Sequence, residues 1–237
     1  MSDGASQRQF RRYQVQLPLL HTPSSSRANK VWAGWTRDLS EGGVCVELDQ
    51  SLPAPTRLQV CLQTDRGVID MEAEVVWAGA APPGSQGGIL HGLAFTRLAP
   101  DQLQSLQYLL LSWGLGRRVG VRIPFEVAIT CQHKGEPGPL ISGQGRNGSR
   151  TGLLLRLPQL VPPGTTLELT LHTHRGPLTV EGTIVWVAPP EGRSPGGPIR
   201  HGLRLTALGW PTALALGLAL AGPLKETSWL APREGSA

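Results

Sequence analysis

The sequence predicts an all-β protein made of two tandem small antiparallel β-barrels, each followed by a closing α-helix. Two observations carry this prediction: a long internal repeat, and runs of alternating apolar and polar residues separated by turn signals. The 30 glycines and 21 prolines favour short strands and many turns over long helices. At 237 residues the chain has room for two small domains.

The repeat relates the first half of the chain to the second. Segments of the first half recur 109 or 110 residues later, and a drift of one residue is what a single loop insertion gives. The tripeptide His-Gly-Leu, for example, occurs at 91–93 and again at 201–203. So long a register indicates a duplication. The positions that correspond at an offset of 109, with one exchange of Asp for Asn, are Asp38, Ser40, Gly43, Pro53, Thr64, Arg66, Gly67, Glu72 and Trp77.

The strands are predicted from residue alternation and from turns. Val44, Val46 and Leu48 alternate with two other residues, as half-buried strands do, and leucines alternate in the same way over 153–157 of the second copy. The β-rich runs on either side of Gly67, and of Gly176, read as hairpins. With the His-Gly-Leu strand, each copy has five or six strands, enough to close a small barrel without exposed edges.

One helix is predicted after each barrel. Pro100 and Asp101 form a helix-start signal, and Gly114 ends the run. The second helix starts near Pro211, stops at 222–223 and is apolar on nearly every face, so it should be buried against a barrel or a partner, which allows a homodimer. The expected organisation is a flexible tail over 1–7, domain 1 over 8–113, domain 2 over 114–222 and a flexible tail over 223–237.

Composition narrows the class of protein. The net charge of +5 favours anionic partners. The longest apolar stretch, 213–221, is shorter than the roughly 18–20 residues that cross a bilayer, so no membrane span is expected. The three cysteines include no Cys-x-x-Cys pair, which argues against a disulfide framework or a zinc site and fits a reducing cytoplasm.

Two short motifs occur in the same order in both copies. An Arg-x-x-x-Arg motif is followed by an Asp/Asn-x-Ser-x-x-Gly motif, which begins 26 residues after the last arginine in the first copy and 25 residues after it in the second. Either motif alone is common, but both in order and twice are specific. The motif residues are Arg8, Arg12, Asp38, Ser40 and Gly43 in the first copy, and Arg118, Arg122, Asn147, Ser149 and Gly152 in the second.

This pair of motifs resembles the pattern of the PilZ domain family, over most of residues 8–208. The resemblance implies a β-barrel that binds cyclic di-GMP at the ten motif residues, and a receptor that signals to a downstream protein partner without a resident cofactor or metal. In the family, the arginine pair contacts guanine and phosphate, and the polar turn completes a base pocket.

The chemistry of the motif residues agrees with that ligand. An arginine donates bidentate hydrogen bonds to phosphate or to guanine O6 and N7, and its flat face stacks on a purine. Asp38 or Asn147 can accept hydrogen bonds from guanine N1–H and N2–H₂, or can hold a turn. The serines supply a hydroxyl, and the glycines allow close backbone approach or a positive φ.

The position of the second arginine pair suggests a readout. Arg118 and Arg122 lie beside three glycines in the joint between the two domains. A ligand there would order the joint and fix one barrel relative to the other, so the signal would be a change of shape.

Other readings of the same residues stay open. Trp77 and Trp186 lie in apolar runs and are expected in the barrel core, with a stacking surface as the alternative. His91 and His201 lack metal-ligand companions and are expected to be structural. The sequence shows no nucleophile–base set, P-loop or Rossmann fingerprint, so an enzyme is not expected. A single-stranded nucleic-acid binder would need exposed aromatics across a sheet face and is less expected than a duplicated scaffold with one or both sites inactive.

Overall fold

A computed structural model describes residues 10–24, 30–79, 87–114, 121–135, 138–188, 197–206 and 208–222. The expected flexible tails, the joint over 115–120 and two of the motif arginines, Arg8 and Arg118, lie outside these residues. The first half of the chain forms β1 (Tyr13–Gln14), β2 (Pro18–Pro23), β3 (Trp32–Ser40), β4 (Gly43–Leu48), β5 (Arg57–Thr64), β6 (Gly67–Gly79), β7 (Ile89–Arg97) and α1 (Pro100–Gly114).

The second half repeats this order of elements. Its strands and helix are β8 (Ile123–His133), β9 (Ile141–Ser149), β10 (Gly152–Leu157), β11 (Thr166–Thr173), β12 (Gly176–Val187), β13 (Ile199–Leu205) and α2 (Trp210–Leu220). The prediction of two tandem antiparallel barrels, each followed by a helix, is confirmed.

Barrel 1 is closed by six strand positions. Its strands run β3-β2-β5-β6-β7-β4, and the pairing of β4 with β3 closes the ring. The short strand β1 pairs with β3 beyond β2, so β1 and β2 together fill one position along that strand. Thr36 of β3 fills the gap between them, because its Oγ1 accepts from the Leu17 N–H at 2.9 Å and donates to the Val15 carbonyl at 2.5 Å.

Barrel 2 has the same topology, with β8 in the place of β1 and β2. Its closed order is β10-β13-β12-β11-β8-β9. Inward-facing leucines, isoleucines and valines alternate along the strands and are nearly all less than a tenth exposed, so each barrel encloses a packed apolar core.

The predicted hairpins are present in both barrels. The strands β5 and β6 pair from Thr64 opposite Gly67, and β11 and β12 pair from Thr173 opposite Gly176. Gly67 has a φ of 128° and Gly176 a φ of 111°, a region that residues with a Cβ rarely enter.

The two helices are placed differently in the whole molecule. Helix α1 packs on β6 and β1 of its own barrel through Leu106, Leu109 and Leu110. Helix α2 contacts β8 and β12 of barrel 2 on one side and β2 and β3 of barrel 1 on the other. Its Leu214 and Leu218 pack against the outer surface of barrel 1, so the apolar face that allowed a homodimer is covered within the chain.

Candidate functional site

The second motif of each copy forms a tight hairpin. In barrel 1 the strands β3 and β4 are joined at Ser40 opposite Gly43, and in barrel 2 β9 and β10 are joined at Ser149 opposite Gly152. The two turns are therefore two residues long, and both belong to the same end of their barrel. The repeat thus places its most specific motif at equivalent positions of the two barrels.

The serines of the motif hold these turns. The Ser40 hydroxyl donates to the Gly43 carbonyl at 3.1 Å, and the Ser149 hydroxyl donates to the Gly152 carbonyl at 3.4 Å. Both side chains are buried. Because the hydroxyl hydrogen is used in the turn, a ligand can meet either serine only at its acceptor lone pairs.

The glycines of the motif are required by close packing. A Cβ on Gly43 would lie 2.3 Å from the Leu93 carbonyl oxygen, and a Cβ on Gly152 would lie 2.6 Å from the Leu203 carbonyl oxygen. Neither glycine has a positive φ. Of the two reasons expected for these glycines, the structure supports close backbone approach.

Asp38 of the first copy carries an ion pair. Its Oδ1 lies 3.2 Å from the Arg12 guanidinium, and the side chains are 27% and 45% exposed. An exposed pair of this kind contributes at most about 1 kcal/mol, so a nucleotide can separate it at little cost. The structure therefore brings together an arginine of the first motif and the acid of the second.

Asn147 takes the place of the acid in the second copy. Its Oδ1 is shielded from solvent and accepts no hydrogen bond within the described part of the chain. An unsatisfied buried acceptor costs roughly 1–3 kcal/mol, which a hydrogen-bond donor from outside the described residues would recover. Arg122 lies half-buried one residue before β8, and Pro124 of β8 pairs with Asn147 across the sheet.

A small cavity adjoins the first site. It has a volume of about 340 Å³, in the lower part of the range for small-molecule sites. Phe10 lies between Arg8 and Arg12 in the sequence, and its ring packs against Gly42 of the turn. A larger cavity of about 550 Å³ lies between α1 and the β5–β6 hairpin, away from the motif residues. The lining residues of the smaller cavity are Phe10, Arg11, Tyr13, Glu41, Gln107, Leu110 and Leu111.

The expected burial of Trp77 and Trp186 in the barrel cores is wrong. Trp77 is 41% exposed and Trp186 is 36% exposed. Each follows a register shift in its strand that turns the indole outward, where it lies flat over a glycine of the neighbouring strand. A Cβ on Gly92 would lie 1.9 Å from the Trp77 Nε1, and a Cβ on Gly202 would lie 2.0 Å from the Trp186 Nε1.

The exposed tryptophans lie in the same row of the sheet as the polar residue of the motif. Across β3, β4, β7 and β6, Asp38 pairs with Cys45, Cys45 with Gly92, and Gly92 with Trp77. Paired residues of an antiparallel sheet share a face, and neighbouring strands are about 4.8 Å apart. The indole over Gly92 therefore lies on the same face of the sheet as Asp38, two strands away. The equivalent row in barrel 2 is Asn147, Leu154, Gly202 and Trp186.

The apolar neighbours of these tryptophans in the sequence favour burial. The signal that favours exposure is the glycine of His-Gly-Leu, which recurs in both copies opposite the tryptophan. A glycine in a strand interior often marks close approach of another group.

The histidines have structural partners, as expected. His91 accepts from the Leu52 N–H at 3.0 Å, and its Nδ1 lies 3.0 Å from the Ile89 carbonyl oxygen. His201 repeats this arrangement with Val161 and Ile199. Burial lowers the pKa of both imidazoles, so they are neutral at pH 7.

The three cysteines are buried and free. Burial raises the pKa of Cys45 to about 11, with Asp38 adding to the rise, and burial raises the pKa of Cys131 to about 11. Burial also raises the pKa of Cys61. A neutral thiol is a poor nucleophile and a poor metal ligand. The described residues contain no cluster of three or more potential metal ligands, and no helix among them has the length and apolarity needed to cross a membrane.

Comparisons with known proteins agree on one family. The PilZ domain model matches residues 6–112 and again residues 116–209. A search of curated proteins gives no significant match.

Three of the solved structures that the chain resembles differ in how much of it they cover. The PilZ domain of YcgR from Escherichia coli with c-di-GMP is 18% identical, at a TM-score of 0.38 over 46% of this chain and 92% of that one. PlzA of Borreliella burgdorferi with c-di-GMP is 13% identical, at a TM-score of 0.36 over 87% and 86%. The inhibitor of motility of Bacillus subtilis is 11% identical, at 0.37 over 88% and 96%. Since the family model covers most of both halves, the chain belongs to the PilZ domain family and carries two such domains in tandem.

Proposed function

We propose that this protein is a cyclic di-GMP receptor with one ligand site in each barrel. Membership of the PilZ family supports the ligand. The observation that carries the proposal is the duplicated row of residues, in which each barrel aligns a polar motif residue with an exposed indole. In barrel 1 the polar residue, Asp38, also pairs with Arg12 of the Arg-x-x-x-Arg motif.

Each group in the row has a defined role toward the ligand. The arginine donates hydrogen bonds to a phosphate or to O6 and N7 of guanine. Asp38 or Asn147 accepts from guanine N1–H and N2–H₂, and the indole offers a face for stacking. A micromolar site needs a binding free energy of about −8 kcal/mol. Charged hydrogen bonds contribute roughly 1.5–3 kcal/mol each, so each site can reach this value with its two motif arginines, its polar residue and the stacked indole.

The test of the site assignment is a calorimetric titration of paired variants. Changing Arg8 and Arg12 to Ala should remove the first site and leave the second, and changing Arg118 and Arg122 to Ala should do the reverse. Loss of a single arginine should weaken its site by about tenfold or more. Wild-type binding by both double variants would show that the assignment is wrong.

We also propose that ligand binding changes the arrangement of the two barrels and that a downstream protein reads this change. The barrels are held together through α2, so the ligand would act on a docked pair. Small-angle scattering with and without cyclic di-GMP tests the change of shape, and identical profiles at saturation would exclude it. The same proposal makes the protein a receptor without catalytic activity, acting in the cytoplasm, where its free cysteines remain reduced.

A further inference from the structure

A buried carboxylate lies between the two barrels. Glu47 of β4 is 1% exposed, and its side chain points to the outer surface of barrel 1. Its Oε1 accepts from the Arg37 guanidinium at 3.0 Å, and its Oε2 accepts from the Arg150 guanidinium at 2.5 Å. Arg37 belongs to barrel 1 and Arg150 to barrel 2, so one carboxylate is shared by two arginines across the interface.

Each arginine follows or precedes a motif residue of its own barrel in the sequence. Arg37 immediately precedes Asp38, and Arg150 is the first residue of the turn that follows Ser149. Cys45 pairs with Asp38 in the site row, and Glu47 lies two residues further along β4 and therefore on the same face of the sheet. The first site and the shared carboxylate are therefore within electrostatic reach of each other.

Arg150 lies beside two indoles in the interface. Its guanidinium lies 5.8 Å from the centre of the Trp35 ring and 5.7 Å from that of Trp210. Both indoles are fixed across the same interface, since Trp35 Nε1 donates to the Ala213 carbonyl at 2.8 Å and Trp210 Nε1 donates to Asp49 at 3.2 Å. The indoles therefore add a cation–π contact to the ion pair that Arg150 makes with Glu47.

The repeat shows that this pairing is specific to the interface. At the offset of 109, Glu47 corresponds to Arg156, and Arg150 corresponds to Glu41. Both charges are thus reversed at the equivalent positions. Glu41 instead accepts from Gln107 of α1 in its own barrel at 3.4 Å. Only barrel 1 carries the acceptor and only barrel 2 carries the arginine.

We propose that Glu47 couples the two candidate ligand sites by competing with bound ligand for Arg37 and Arg150. The proposal rests on the proposed function, since it needs an anionic ligand at both sites. A phosphodiester beside Arg150 draws that guanidinium from Glu47, which then holds Arg37 more tightly and makes it less available to the first site. Ligand at the first site acts on Arg150 in the same way. Occupancy of either site therefore weakens the other, reciprocally, as linkage requires.

The experiment compares the affinity of the second site when the first site is empty and when it is filled. The empty state is the Arg8→Ala, Arg12→Ala variant. The affinity in the filled state is the overall two-site association constant of the otherwise unchanged chain divided by the constant of the first site alone, which is measured in the Arg118→Ala, Arg122→Ala variant, all by calorimetric titration with cyclic di-GMP. We expect a ratio of about fivefold or more, the lower end of measured couplings. In a Glu47→Gln background, which removes the competing charge, the ratio should fall to about 1.

Two further variants complete the test. Arg150→Gln removes the other half of the pair and should also bring the ratio to about 1, which keeps the test decisive if Glu47→Gln does not fold. Glu74→Gln is the matched control, because Glu74 also belongs to barrel 1 and pairs with an arginine, Arg57, away from the interface. This control should keep the wild-type ratio.

The outcomes separate the two proposals. A ratio near 1 in the wild-type chain, or a ratio unchanged by both Glu47→Gln and Arg150→Gln, would overturn the coupling and leave the receptor function intact. Absence of cyclic di-GMP binding at both sites would overturn the receptor function, and the coupling with it.

Discussion

Single residues of the motif do structural work that a sequence pattern does not distinguish from binding. Ser40 and Ser149 close their hairpins, and Gly43 and Gly152 face a carbonyl oxygen of the neighbouring strand. The turn is thus built by two of the three motif residues. Asp38 and Asn147 remain as the side chains whose polar atoms point away from the hairpin's own hydrogen bonds.

The glycine requirement can be measured as stability. Gly43→Ala places a Cβ 2.3 Å from the Leu93 carbonyl oxygen, so the backbone must shift, at a cost of about 1–3 kcal/mol in the free energy of unfolding. Gly79→Ala is the matched control, since its Cβ would meet only ordinary contacts at 3.6 Å or more. Urea unfolding of both variants checks the expectation, and equal midpoints would contradict it.

The exposed indole can be tested through ligand affinity. Trp77→Ala removes the stacking surface of the first site and should weaken cyclic di-GMP binding there by roughly tenfold, since a base–aromatic stack contributes about 1–3 kcal/mol. Trp77→Phe keeps an aromatic face and should retain most of the affinity. The second site, titrated in the same experiment, serves as the internal reference. If the Trp77→Ala and Trp77→Phe variants have the same first-site affinity, the indole does not stack on the ligand.

At the scale of elements, the two helices occupy equivalent positions in the repeat but make different contacts. Gln104, Gln107 and Tyr108 of α1 correspond to Leu214, Gly217 and Leu218 of α2 at an offset of 110. The polar set faces outward, and the apolar set packs on barrel 1, where Gly217 leaves room for the Trp35 ring. The surface that receives α2 is apolar in barrel 1, with Leu20, Ala33 and Cys61, and its equivalent in barrel 2 is Thr130, Ser142 and Thr170.

This contrast predicts how the barrels come apart. Leu218→Asp places a charge in the partly buried contact with the outer surface of barrel 1 and should undock the barrels, because removing a charge from water without a partner is costly. Tyr108→Asp, at the equivalent and exposed position of α1, should leave them docked. Small-angle scattering distinguishes the two results. A compact Leu218→Asp variant with the wild-type radius of gyration would contradict the role of this face.

At the scale of the whole molecule, the interface joins two different surfaces, one from each barrel. Barrel 2 offers a helix and Arg150, and barrel 1 offers an apolar surface and Glu47. The equivalent surface of barrel 2 is polar and has Arg156 in the position of Glu47, so it differs in both polarity and charge from the surface that receives α2. The face of α2 and the apolar surface that it covers therefore belong to the same chain.

The fold's response to acid follows from a buried histidine. His21 is 1% exposed, and neither ring nitrogen has a hydrogen-bond partner among the described residues. Burial lowers its pKa from 6.5 to about 4, with His91 adding to the effect. A lowered histidine pKa means that the unfolded chain binds the proton more readily. Stability is therefore fully present above pH 6.5 and is lost as the pH falls toward 4.

The size of this loss can be measured. His21 alone should cost about 2 kcal/mol of unfolding free energy between pH 7 and pH 5. His91 and His201 act in the same direction, and the raised pKa of Asp70 acts against them. His21→Phe should remove the His21 share, so its stability should fall less than that of the wild type in denaturant titrations at the two pH values. Equal losses would show that His21 does not carry the effect.

The sequence was sufficient to predict the repeat, the barrels, the helices and the positions of the motifs, because periodicity and turn residues are local signals. It was insufficient where an outcome depends on a distant partner. The outward turn of Trp77 depends on a register shift and on Gly92 in the next strand, and the pairing of Glu47 with Arg150 joins residues 103 apart. The apolar face of α2 was correctly expected to be buried, but only the fold shows that barrel 1 covers it.

The central claim is that the duplicated site binds cyclic di-GMP, and one calorimetric comparison tests it most directly. The wild-type chain is titrated with cyclic di-GMP, cyclic di-AMP and linear pGpG. We predict two sites of about micromolar affinity for cyclic di-GMP and much weaker binding of cyclic di-AMP, because adenine presents an N6 donor where the arginine fork needs the guanine O6 acceptor. Absence of cyclic di-GMP binding, or equal affinity for the two cyclic dinucleotides, would contradict the claim.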